Sequence, residues 1–153
     1  MSASSFNVRR AHQWFAIELN NLAWDLVEAN ERSPADAERM IHAAHGACFH
    51  WLEVGELVNH LRAQCLLAAA YAKASLAESA VRHAEQCLRL SREAGDKQSA
   101  FDRASAHGCA SNAYTLAGRM DDARTVYERA LEAAKGFDDP DDRPVFERLF
   151  PRP

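Results

Sequence analysis

An all-α fold is predicted, on three observations. Alanine makes up roughly a fifth of the 153 residues, well above ordinary usage, and it both favours helix and lets helices approach closely. Glycine (6) and proline (5) are scarce and stand between apolar stretches. No run alternates apolar and polar residues for long enough to form a sheet strand. With 48% hydrophobic and 26% charged residues in 17.0 kDa, the chain has one domain's worth of length and buries about two-thirds of its unfolded surface without a disulfide or metal.

Six long helical patterns follow one another. The first spans about Asn7 to Asn30, with Val8, Ala11, Phe15, Leu19, Leu22, Leu26 and Ala29 recurring at three- and four-residue steps. Ser33 is placed to cap the second, and Pro34 stands at its first position, where a missing N–H costs nothing. Its stripe is Ala37, Ile41, Ala44, Cys48 and Trp51, and it stops near Gly55. The third spans about Glu56 to Ala74 and the fourth about Ala77 to Ala94, with Gly95 as its terminator. The fifth runs from about Ser99 to Ala117, closed by Gly118. The sixth carries Asp121 and Asp122 in its first turn and Lys135 near its end, both matched to the helix dipole. The acidic, proline-containing segment Asp138–Pro144 cannot extend that helix, and Val145, Phe146, Leu149 and Phe150 then return at helical spacing. Residues 1–136 are thus expected to form the helical domain, and 137–153 a tail ending in a short capping helix.

Several function classes are disfavoured. The net charge is −4 and the arginines are scattered among acidic residues, so no patch gathers the charge that nucleic acid requires. No stretch approaches 18 uncharged apolar residues, and the opening Met1-Ser-Ala-Ser-Ser-Phe6 lacks a basic region followed by an apolar core. No membrane partner is expected, and the cytoplasm is the expected compartment. Cys48, Cys65, Cys87 and Cys109 are widely spaced and form no Cys-x-x-Cys unit, which reads as reduced core cysteine.

The strongest internal signal lies in Ala110–Ala130. Small Ser111, aromatic Tyr114, turn Gly118, then Ala123, Tyr127 and Ala130 alternate small and large residues, as two touching antiparallel helices require. The same grammar recurs as Leu67, Ala68, Tyr71, Ala80, Ala84 and Cys87. A weaker copy, Leu22, Ala23, Leu26, Ala37, Ile41 and Ala44, is interrupted by an insertion around Glu31–Pro34. This pattern resembles the tetratricopeptide repeat (TPR), from about Leu19 to Lys135, most specifically in its last third. The copies lie 43 and 45 residues apart (Tyr71 to Tyr114, Leu26 to Tyr71), against ~34 in the family, so the helices are longer than standard. Three pairs are about the minimum that share a continuous core. The segment around His50 and the Asp138–Arg143 tail are also similar to features of small bacterial repeat proteins without assigned activity.

The resemblance implies a right-handed stack whose first helices line a concave, partner-binding face. Residue by residue it points to Asn20, Trp24 and Glu28, then Arg62, Cys65, Ala69 and Lys73, then Gly108, Asn112 and Leu116. Trp24 also stands, with Ile17, off the Leu19–Leu22–Leu26 stripe, where it either anchors a partner or packs on the neighbouring helix. Asn112 matches one position of the carboxylate clamp found in some relatives, but Gly108 and Cys65 replace its other polar groups, so an extended or helical peptide is the expected ligand. The apolar tail residues are expected either to cap the last repeat or to pair with a second copy of the chain.

One constellation carries metal-ligating residue types. Glu38, His42 and His45 share a helix face, with Cys48 and His50 beyond them, and His42, His45 and His50 are the candidate ligands of a metal or small-molecule site walled by Trp51. Against this, zinc sites draw ligands from two elements, and no Glu-x-x-His partner appears elsewhere. No nucleophile with base and oxyanion donor, phosphate loop or dinucleotide fingerprint is present. The expectation is therefore a non-enzymatic, cofactor-free module binding a protein or peptide, with the histidine site as alternative.

Overall fold

The structure, a computed structural model, describes residues 6–153; the opening Met1–Ser5 lies outside the described residues. The fold is all-α, 81% helical. Its helices are α1 (Val8–Glu28), α2 (Pro34–Val54), α3 (Leu57–Lys73), α4 (Ala77–Ala94), α5 (Ala100–Leu116), α6 (Met120–Ala134) and α7 (Asp142–Leu149), with a short 3-10 turn at Gly95–Lys97. Consecutive helices pack in pairs, α1 with α2, α3 with α4 and α5 with α6, and the first helices α1, α3 and α5 lie side by side.

Helix starts are fixed by side chains that satisfy the orphan N–H groups of the first turn. Ser33 accepts from the Asp36 N–H while Asp36 accepts from that of Ser33, and Ser99 with Asp102 repeats the arrangement before α5. Pro34 sits inside the first turn of α2, where its missing N–H is harmless. Before α3 the Glu56 N–H donates to Asn59 Oδ1 at 2.9 Å.

The two complete repeats are visible in their turns. After α3, the Leu76 N–H donates to the Tyr71 carbonyl and Ser75 to Ala72; after α5, Arg119 donates to Tyr114 and Gly118 to Thr115. Ser75 (φ 60°) and Gly118 (φ 75°) hold the left-handed conformation that this helix ending needs. The α1–α2 link differs. Ala29 is extended (ψ 135°), and the Arg32 guanidinium reaches back to the carbonyls of Leu26, Val27 and Ala29 at 2.6, 2.9 and 2.9 Å.

The small residues of the repeat lie where helices touch: Ser111, Ala123, Ala130, Ala80, Ala84, Ala23 and Ala44 are fully buried. The core divides at α3, which turns Leu61, Cys65 and Ala68 toward the last two pairs and Ala63, Leu66, Leu67 and Ala70 toward the first. Two glycines stand inside helices, a correction to the reading that places them between apolar stretches. A Cβ on Gly46 would meet Leu19 at 2.7 Å, and one on Gly108 would fall on the Phe150 ring. Close approach, not a turn, requires glycine at Gly108, whereas at Gly46 only the tip of the Leu19 side chain would have to move.

The tail packs on its own chain. Phe146 and Phe150 are buried against α5 and join a ring cluster with Phe137 and Phe101. The side chains on which pairing through α7 would rest are thus largely occupied within one chain. All four cysteines are buried and unbridged. No helix among the described residues is long and apolar enough to cross a membrane.

Candidate functional site: a groove across the first helices

A cavity of about 550 Å³ opens across the first helices. Asn20, Trp24 and Glu28 of α1 form one wall, Leu61, Arg62 and Cys65 of α3 the next, and Ser99, Asp102 and Ser105 stand at α5. Five residues predicted to line the groove, Asn20, Trp24, Glu28, Arg62 and Cys65, are therefore brought together. Helical geometry places Asn20, Trp24 and Glu28 on one side of α1 because four-residue steps advance little around the helix. Trp24 is half-buried and packs against the first-pair core, so it serves wall and core together.

Three further predicted residues line a neighbouring pocket of about 320 Å³, where Lys73, Asn112 and Leu116 meet Arg148 and Leu149, while Ala69 and Gly108 line neither. Asn112 is engaged: its amide donates to the Leu149 carbonyl at 2.9 Å. Leu149 belongs to both pockets, so α7 is the partition between them.

Sequence reasoning missed that partition. Asp139, Asp142, Val145, Leu149 and Phe150 close the cavity, and Arg148 reaches Glu28 on α1 at 2.8 Å. The helical spacing of the tail gave the helix but not the wall it rests on. One signal was available at Gly108, where the absence of a Cβ makes room for Phe150.

Asp102 was also missed as a site residue, although Ser99-x-x-Asp102 is legible as a helix cap. Arg62 grips it bidentately, Nε to Oδ1 at 2.7 Å and Nη2 to Oδ2 at 3.0 Å. Burial alone would raise the Asp102 carboxyl, but the hydrogen bonds from Arg62 and from Ser99 outweigh it and hold the carboxyl below its ordinary range. Arg62 is consequently pinned at the cavity wall, its guanidinium already satisfied on one edge.

The histidine constellation is dispersed. His45 Nε2 lies 2.8 Å from the Tyr71 hydroxyl, His50 Nδ1 lies 2.8 Å from His12 Nδ1 on α1, and His42 is exposed. The i, i+3, i+8 spacing fans these side chains toward different neighbours instead of one point. His45 makes this hydrogen bond at the surface and not in the core. Among the described residues, no group of three His, Cys, Asp or Glu side chains is placed to hold a metal ion.

What forms instead is a polar seam through α2, α3 and α4. The Tyr71 and His83 rings stack with centroids 5.3 Å apart, and His83 Nδ1 lies 2.8 Å from Gln64 Oε1. Burial, reinforced by the charges of Arg82 and His45, pushes His83 down to about 4. Neutral imidazole is therefore its form at neutral pH. In the core, hydrogen bonding with Cys65 and burial push the Cys87 and Cys109 thiols well above the ordinary range, which keeps them protonated and unreactive.

Fold and site together define a stack of three helical pairs with a groove across its first helices, closed along one side by the C-terminal helix. Comparison with protein-family models, curated proteins and solved structures found no match to this chain.

Proposed function

We propose that the chain is a TPR-like interaction module whose first-helix groove receives a peptide or segment of a partner protein, without catalytic activity of its own. The observation that carries this reading is the convergence of Asn20, Trp24, Glu28 and Arg62, from two separate repeats, around one cavity of about 550 Å³. That volume falls within the roughly 300–1,000 Å³ of typical ligand sites. Tryptophan and arginine, both present in this wall, are among the residue types enriched at interface anchor positions. The repeated helix endings after Tyr71 and Tyr114 support the TPR-like assignment, since one turn geometry recurs at the 43-residue spacing of the sequence motif.

The test is selection of peptides from a random displayed library on the purified protein, followed by titration of those selected. Trp24→Ala should weaken them at least tenfold, roughly 1.4 kcal/mol, while Leu52→Ala, exposed on α2, leaves affinity unchanged. Equal affinity for wild type and Trp24→Ala would place the binding surface elsewhere.

A further inference from the structure

The cavity is charged asymmetrically. Glu28, Asp102, Asp139 and Asp142 face it against a single base, Arg62. Two of these acids are already neutralised, Asp102 by Arg62 and Glu28 by Arg148. Among the described residues, Asp139 and Asp142 form no ion pair. Desolvation and repulsion from Asp139, Asp138 and Asp141 push the Asp142 carboxyl above its ordinary range, and Asp139 Oδ1 accepts the Asp141 N–H at 2.9 Å, a contact that leaves its charge unpaired.

A second, independent feature lies in the same cavity wall. Ser105, only 8% exposed, lines the cavity, and its hydroxyl has no hydrogen-bond partner. Buried hydroxyls are almost always satisfied, and leaving one unpaired costs about 1–3 kcal/mol. Trp24 and Phe101 stand in the same lining, and aromatic rings attract cations as carboxylates do.

From these observations we infer that the cavity takes a cationic side chain, lysine or arginine, carried by the peptide in the groove; this rests on the peptide-binding reading above. The alkyl stem lies along the aromatic wall, the charged head meets Asp139 and Asp142, and its N–H groups reach the Ser105 hydroxyl. The chain already makes one such contact itself, since the Arg148 guanidinium bonds Glu28 at 2.8 and 3.1 Å at the cavity's rim. The overall charge of −4 attracts a basic segment from a distance.

Calorimetric titration with three synthetic decapeptides of alanine and leucine, differing only in carrying two arginines, two glutamines or two glutamates, tests this. Butylguanidine serves as the free cation. The arginine peptide should bind at least tenfold tighter than the glutamine peptide, and the glutamate peptide most weakly. Asp139→Asn combined with Asp142→Asn should erase that preference, with circular dichroism reporting an intact fold. Equal affinity of arginine and glutamine peptides, both lost in Trp24→Ala, would overturn the cation site and leave the groove standing. Butylguanidine binding as tightly as the arginine peptide would keep the cation site and overturn its peptide source. No binding by any of the four would overturn both.

Discussion

The first helical pair and the last solve the same two problems differently. Each must satisfy the carbonyls where its first helix ends, and each must do something with the apolar surface at its end of the stack. The last pair uses a left-handed Gly118 to fold the chain back onto its own carbonyls, and α7 to cover α5 with Phe146 and Phe150. The first pair uses the Arg32 side chain in place of the turn. It leaves Trp14, Phe15, Ile17, Phe49 and Leu52 exposed, between 41% and 61%. Backbone geometry thus repeats only where the sequence motif is strongest. Where the insertion at Glu31–Pro34 breaks the motif, a side chain takes over a task that elsewhere belongs to the main chain.

The sharpest way to break this comparison is to strip one residue from each end. Phe146 is fully buried and packs edge-on against Phe137 and tilted against Phe150, with centroids 5.8 and 5.3 Å away. Phe146→Ala should cost about 3–5 kcal/mol, the usual penalty for emptying a buried phenylalanine site. Leu52→Ala on α2 should change stability by no more than about 0.5 kcal/mol. Urea unfolding followed by far-ultraviolet circular dichroism measures both. Similar losses at the two positions would mean that the first pair's surface is covered in solution after all.

Arg32 comes next in size. Arg32→Ala strands three carbonyls at the end of α1, and a loss of about 2 kcal/mol is expected, partly offset because water reaches some of them. Arg32→Lys should recover less than half, since a single ammonium cannot copy the fork of Nε and Nη2. An unchanged urea midpoint in Arg32→Ala would show that the link needs no side-chain cap.

Arg32 also marks where sequence reasoning reached its limit. The helices, the cap at Ser33, and the small residues at helix contacts were legible because each is a local rule of spacing or capping. So were Asn20, Trp24, Glu28 and Arg62 as neighbours, because a repeat carries equivalent positions into register. Arg32 bonding back to Leu26, Arg62 meeting Asp102 forty residues on, and Arg148 crossing to Glu28 are pairings between elements. No periodicity encodes them. The histidines failed for a related reason: sharing a helix face does not make side chains converge when each has a nearer partner on another helix, as His45 has in Tyr71 and His50 in His12.

The smallest expected effects isolate the turn itself. Ser75 and Gly118 hold the same left-handed conformation 43 residues apart, yet only one of them is glycine. A side chain in that region costs about 1–2 kcal/mol, while glycine's extra freedom in the unfolded chain returns part of the difference. Ser75→Gly should therefore stabilise the protein by roughly 0.5–1 kcal/mol, and Gly118→Ala should destabilise it by about 1. Nothing lies within 4 Å of the Cβ that Gly118→Ala would add, so packing cannot account for the loss and the backbone alone must. Because the two turns close different helix pairs, the double variant should come out as the sum of the singles to within about 0.5 kcal/mol. If both changes moved the urea midpoint in the same direction, the turns would not be equivalent, and the structural repeat would end at the helices.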